Sequence, residues 1–159
     1  MDLPQLPKSV IHELQARLPE VKMIVLFGSR AKGQAHTKSD WDIGILAKAG
    51  CYEGFAQFKL QEDLSEILSI PFDQLDLVNL RYCSPLLGFA IARDGLPLYQ
   101  ETTITFTRFQ VRASKRYADT AKFRKLERAY LGFDELFESK FASEHATKDR
   151  AKDDTAARK

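Results

Sequence analysis

The chain has 159 residues, 44% of them hydrophobic, 11% aromatic and 29% charged, a composition that fits one globular domain with a packed core. A mean hydropathy of −0.33, with no apolar run near about 18 residues, argues against a membrane span; residues 1–22 carry no signal-peptide apolar block, so the expected location is the cytoplasm. The net charge of +2 hides an uneven distribution: residues 1–107 carry 10 basic and 13 acidic side chains, residues 108–128 carry 8 and 2, and residues 129–159 carry 6 and 7.

The first predicted element is a helix over Ser9–Leu18, entered through Pro7, with Val10, Ile11, Leu14 and Leu18 on one face and Pro19 closing it. Val21–Phe27 is β-rich and almost continuously apolar, as expected of a strand covered on both faces. It ends at Gly28-Ser29. Asp40–Leu46 reads as a second strand in which Asp40 and Asp42 share one face and Trp41, Ile43 and Ile45 the other. Glu53–Ser69 is expected to be helical, with Phe55, Phe58, Leu64, Ile67 and Leu68 as most of its apolar stripe, until Pro71 forbids continuation. Gln74–Leu80 is a third strand, Pro85–Arg93 a short helix, and Leu96–Tyr99 a small extended piece after the Asp94-Gly95 turn. Ile104–Phe141 has a helical pattern with a break expected near Gly132, and Ala142–Lys159 has the composition of a disordered tail. The expected organisation is therefore an α/β core over residues 1–103, a helical arm over 104–141 and a tail over 142–159.

The chemistry concentrates in Phe27-Gly28-Ser29-Arg30-Ala31-Lys32-Gly33 and Ser39-Asp40-Trp41-Asp42, at the end of one strand and the start of the next. Gly28 lets backbone N–H groups approach an anion, the Ser29 hydroxyl adds a donor, and a helix starting after the turn would aim its positive end at the same place. Asp40 and Asp42, alternating on a strand, lie about 7 Å apart along the backbone and can both bind hard cations such as Mg²⁺. Asp76 supplies a third carboxylate, expected inside a buried strand, where it needs a partner or a metal. Asp73 is its rival, just after Pro71-Phe72 in a position suited to a turn or cap. Three acids suffice for a metal-assisted phosphoryl-type transfer, with Asp40 and Asp42 holding metal and Asp76 helping to activate an incoming hydroxyl.

At average residue usage, Gly-Ser, ten residues and Asp-x-Asp arise by chance in on the order of one chain in several hundred. A Walker A loop is excluded, because Gln34-Ala35 stand where Lys and Ser/Thr would follow Gly28 and Gly33. His12, His36 and His145 have no zinc spacing, and Cys51 and Cys83 lack CxxC spacing and read as inert thiols.

In Gly28-Ser29, the ten residues after it, Asp40-x-Asp42 and the later Asp76, the sequence resembles the minimal nucleotidyltransferases of the DNA polymerase β superfamily. Within them it resembles the MntA class of antitoxins, the MNT half of HEPN–MNT toxin–antitoxin pairs. The resemblance implies a polymerase β-like fold, a small mixed sheet flanked by helices with a long C-terminal helical arm. It also implies an enzyme dependent on ATP and Mg²⁺, with two ions, that transfers AMP to a tyrosine of the HEPN ribonuclease toxin HepT inside a hetero-oligomer. Arg30 and Lys32 would then contact the triphosphate or stand as solvated loop charges, with Ser39 capping the turn or reaching the metal shell.

The basic segment Arg108, Arg112, Lys115, Arg116, Lys122, Arg124, Lys125 and Arg128 is either a face for an acidic partner or RNA, or a solvated helix face. Leu126, Tyr130, Phe133, Phe137 and Phe141 form an apolar stripe for a toxin helix, the chain's own core or a second copy. The competing functional readings are a small-molecule nucleotidyltransferase of the aminoglycoside-modifying kind, expected to need an added domain or a dimer, and a module that neutralises a toxin by blocking it, expected to lack a metal carboxylate.

Overall fold

The computed structural model describes residues 6–36, 39–52 and 54–130. Four strands, β1 (Val21–Leu26), β2 (Trp41–Ala47), β3 (Leu75–Asn79) and β4 (Leu96–Gln100), form one mixed sheet in the order β3-β2-β1-β4. β1 pairs antiparallel with β2 and with β4, whereas β2 and β3 run parallel. A parallel pair needs a long crossover, and the segment carrying α3 (Phe55–Leu68) supplies it. The remaining helices are α1 (Lys8–Arg17), the single turn α2 (Gly28–Ala31), α4 (Pro85–Asp94), α5 (Thr105–Asp119) and α6 (Ala121–Tyr130). The expected α/β class and mixed sheet are present.

The apolar run of β1 serves two cores at once. Val21, Ile24 and Leu26 pack with Ile43 and Ile45 of β2 against Leu14 and Leu18 from the α1 segment and Leu60, Leu64 and Ile67 of α3. Met23 and Val25 pack with Leu46 and Leu80 against Ile91 and Ala92 of α4 and Phe109 and Ala113 of α5. Helices thus cover both faces of the sheet, and the alternation of β2 assigns its odd-numbered apolar residues to the α1/α3 side. α4 starts where the sequence supplies a cap: Ser84 Oγ accepts from Leu87 N at 3.2 Å and Pro85 takes the first helical position.

Two expectations need correction. The buried stripe of α3 is Leu60, Leu64 and Ile67, whereas Phe55 and Phe58 are 94% and 65% exposed. The helical run after residue 104 is not one arm: it stops at Thr120, and α5 belongs to the core through Phe109 and Ala113. By its contacts the chain divides into a unit ending at Ala118 and a second unit from Asp119 onward. In that second unit the Arg124 guanidinium donates to Thr120 Oγ1, and Leu126 is exposed. Gly132, the aromatic positions 133, 137 and 141, and residues 142–159 lie outside the described residues, as does the side chain of Tyr130.

Tyr99 is buried in the core and Tyr117 stacks on Phe89 with centroids 4.3 Å apart, so both have packing roles. Burial pushes the Cys83 thiol up from its ordinary pKa, as expected of an unreactive cysteine. No helix among the described residues is long and apolar enough to cross a membrane.

Candidate active site

β1 runs out at Leu26, and the last pairing with β2 is made by Phe27 N donating to Asp42 O at 2.9 Å. That bond sets Gly28 beside Asp42. Gly28 has φ +70°, and a Cβ built there would stand 2.0 Å from Asp42 Oδ2, so the carboxylate occupies the space that only a glycine leaves open. Gly28 also opens the single helical turn α2, which carries Ser29; Ser29 O accepts from Gln34 N at 2.9 Å and folds the loop back.

The parallel register between β2 and β3 places Asp42 opposite Asp76. Register is a pairing between strands far apart in sequence and cannot be read from either strand alone. Asp42 is half-buried, and Asp40 and Asp76 are exposed. Asp76 is therefore not the buried strand carboxylate that the sequence suggested, since β3 is an edge strand and leaves it open to water. Asp73 sits in a 3-10 turn, Phe72–Gln74, ahead of β3.

Desolvation first, then repulsion from Asp76 and Asp40, raises the pKa of Asp42 above the ordinary carboxylate value. A carboxylate opposed by two neighbouring acids belongs to a donor set suited to a divalent cation, which removes the repulsion. Among the described residues no three His, Cys, Asp or Glu side chains already converge on one point. A cation here needs oxygens from elsewhere to complete its shell, which is how Mg²⁺ is ordinarily held between one or two carboxylates and a substrate's phosphates.

The other named residues shape the loop. Ser39 Oγ accepts from His36 N at 2.8 Å, and Ser39 N donates to His36 O at 3.0 Å, closing a turn ahead of β2. Arg30 donates from Nε to the carbonyls of Ser39 and Asp40 at 3.2 and 3.1 Å and from Nη2 to Ser39 O, while its guanidinium lies 4.2 Å from the centre of the Trp41 ring. Lys32 Nζ is 3.7 Å from Asp94 Oδ2. Asp94 is also gripped by Arg93 through two hydrogen bonds of 2.7 Å, and that grip, helped by Lys32, lowers its pKa. The anchoring of Arg30 and Trp41 is the element that local sequence reading missed, because it joins residues across a ten-residue loop.

Residues 8–103 match the family described as polymerase beta, nucleotidyltransferase. A curated protein adenylyltransferase MntA from Aphanizomenon flos-aquae is 37% identical over 118 residues, which cover 70% of this chain and 79% of that protein. Among solved structures, a chain from a toxin–antitoxin crystal structure with AMP-PNP superposes with a TM-score of 0.62 at 29% identity, over 82% of this chain and 99% of its own. A chain from the complex of tri-AMPylated Shewanella oneidensis HEPN toxin with MNT antitoxin gives 0.55 at 26% identity, over 80% and 93%.

Proposed function

Since the chain belongs to the polymerase β nucleotidyltransferases and, within them, to the MntA protein adenylyltransferases, we propose that it is an antitoxin that transfers AMP from ATP to a tyrosine hydroxyl of a HEPN ribonuclease toxin, acting in the cytoplasm in a complex with that toxin. The observation that carries this reading is the pairing of Asp42 with Asp76 in the sheet, with the Gly28 backbone pressed against the Asp42 carboxylate. In the transfer the tyrosine oxygen bonds to the α-phosphorus of ATP, the bond to the bridging oxygen breaks, and pyrophosphate leaves. Gly28 and Ser29 present backbone and hydroxyl donors to the phosphates. Asp40 and Asp42 hold the cation, with Asp76 adding a third carboxylate and accepting the proton of the attacking hydroxyl. Mg²⁺, when bound, neutralises the charge that develops on the phosphate oxygens. The added phosphate places bulk and negative charge on the toxin, which opposes the binding of RNA at a ribonuclease site.

The direct test is intact-mass spectrometry of a cognate HEPN toxin after incubation with this protein, ATP and Mg²⁺. The expected result is one or more gains of about 329 Da, the mass added when pyrophosphate leaves, and none with the Asp40→Asn/Asp42→Asn variant. A stable complex with no gain in mass would replace the enzyme with a blocking module.

The partner face is expected on α5, where Arg108, Arg112 and Lys115 flank Val111, which is 66% exposed. Reversing Arg108, Arg112 and Lys115 together to Glu is expected to weaken the complex by about tenfold or more, and the wild-type affinity is expected to fall with added salt. Calorimetric titration against the toxin measures both, and unchanged affinity removes α5 from the interface. Charge reversal is preferable to truncation at Glu101, which would also strip Phe109 and Ala113 from the core.

A further inference from the structure

We propose that Arg30 is a positioning residue that sets Asp40 and Asp42 through the backbone, and is not itself a contact to the nucleotide's phosphates. The inference deepens the reading of the site as an AMP-transferring centre and rests on it.

Two independent observations fix where the guanidinium points. It donates three hydrogen bonds to the carbonyls of Ser39 and Asp40, and its flat face stacks on Trp41. Trp41 packs against the α1/α3 core, and Arg30 and Trp41 together line a cavity of about 470 Å³ with Leu26, Leu68, Ile70 and Leu98. Because side chains alternate along β2, Trp41 and the carboxylate of Asp42 project to opposite faces. The charge of Arg30 is thus spent on the far side of the strand from the Asp42 carboxylate.

From there it grips the backbone of two residues in the stretch that carries the first carboxylate. The connection between β1 and β2 is long, and Ser39 and Asp40 stand just ahead of Trp41, the first residue of β2 to pair with β3. Arg30 closes it by bridging from the first turn to the last two residues, so that Asp40 enters β2 in one position. A guanidinium fits this task because its planar fork serves two carbonyls and still offers a face to an aromatic ring, whereas a lysine ammonium is a single point charge.

The test compares wild type, Arg30→Ala, Arg30→Lys and Trp41→Leu, reading Mn²⁺ binding by electron paramagnetic resonance in the presence of AMP-PNP, and separately kcat and the KM for ATP at saturating metal. Arg30→Ala is expected to weaken Mn²⁺ binding by about 10- to 100-fold, the usual consequence of losing a group that orients metal ligands. It is expected to lower kcat in parallel and to leave KM within about twofold. Arg30→Lys recovers only part of the loss. A tenfold or greater rise in KM with Mn²⁺ binding unchanged would make Arg30 a phosphate contact and overturn the proposal, as would a folded Arg30→Ala variant that alters neither quantity. If Arg30→Ala does not fold, Trp41→Leu decides: several-fold weaker Mn²⁺ binding supports the proposal and unchanged binding overturns it. The Mn²⁺ measurement needs no turnover, so a wild type that transfers no AMP would sink the proposed reaction and leave the role of Arg30 to be decided on its own.

Discussion

Asp42→Asn is expected to abolish AMP transfer, with a loss of about three orders of magnitude or more, because a metal-holding carboxylate supplies several kcal/mol of transition-state stabilisation. The same change is expected to raise the melting temperature at neutral pH. Asp42 is held above its ordinary pKa by desolvation, then by Asp76 and Asp40, so the folded chain binds a proton there more tightly than the unfolded chain does. A carboxyl shifted upward destabilises the fold progressively as pH rises from the unfolded value of 3.8 through the raised one, and by a constant amount above it. Asparagine carries no charge to repel, and its advantage should therefore vanish in acid, where both forms are neutral. Thermal melts of the two proteins across that range, without added metal, measure the effect. A variant less stable than wild type at pH 7 would contradict the repulsion, and retained transfer would remove Asp42 from the site.

Gly28→Ala carries the second large effect. The new Cβ would meet Asp42 Oδ2 at 2.0 Å and Asp42 Cγ at 2.7 Å, on a backbone with φ +70°. The left-handed conformation alone costs a residue with a side chain about 1–2 kcal/mol, and the collision must push the carboxylate out of place. A displacement near 1 Å in a reacting array lowers rate by about 10²-fold, which is the loss expected here. Gly33→Ala is the matched control: φ is +68°, yet nothing lies within 4 Å of its Cβ. It should show the stability loss with activity within a few-fold of wild type. Denaturant melts and single-turnover transfer assays on the pair separate strain from displacement, and equal activity losses in both variants would show that the contact with Asp42 is not what matters at Gly28.

Much of this was legible in the sequence. Every strand was placed to within a residue or two at its ends because the apolar runs are short and bounded by Gly, Pro or Asp. The opposed faces of β2 followed from alternation alone. What escaped was non-local. Nothing local to β2 or β3 sets their register, so the adjacency of Asp42 and Asp76 required the fold. The α3 stripe differs from the sequence pattern because Phe55 and Phe58 fit the helical period but lie in its first turn, exposed, while the buried set begins at Leu60. The break at Thr120 has neither Gly nor Pro to mark it. Beside Gly-Ser, Arg30 reads from the sequence alone as a phosphate contact or a solvated loop charge, and its bonds to the Ser39 and Asp40 carbonyls and its place over the Trp41 ring are what the fold adds.

The edge position of β3 has a consequence for selectivity. A carboxylate at the margin of the sheet, exposed as Asp40 also is, leaves the proposed site open from the side, so a hydroxyl on the surface of a folded protein could approach without threading into a cleft. An opening of that kind offers little to distinguish one tyrosine from another. On the proposed reading, discrimination is delegated to the complex: the tyrosine that is modified is the one that docking holds nearby at a high effective concentration. The chain would then be a promiscuous catalyst made faithful by tethering, and a graft of its partner's docking surface onto an unrelated protein should carry the modification with it.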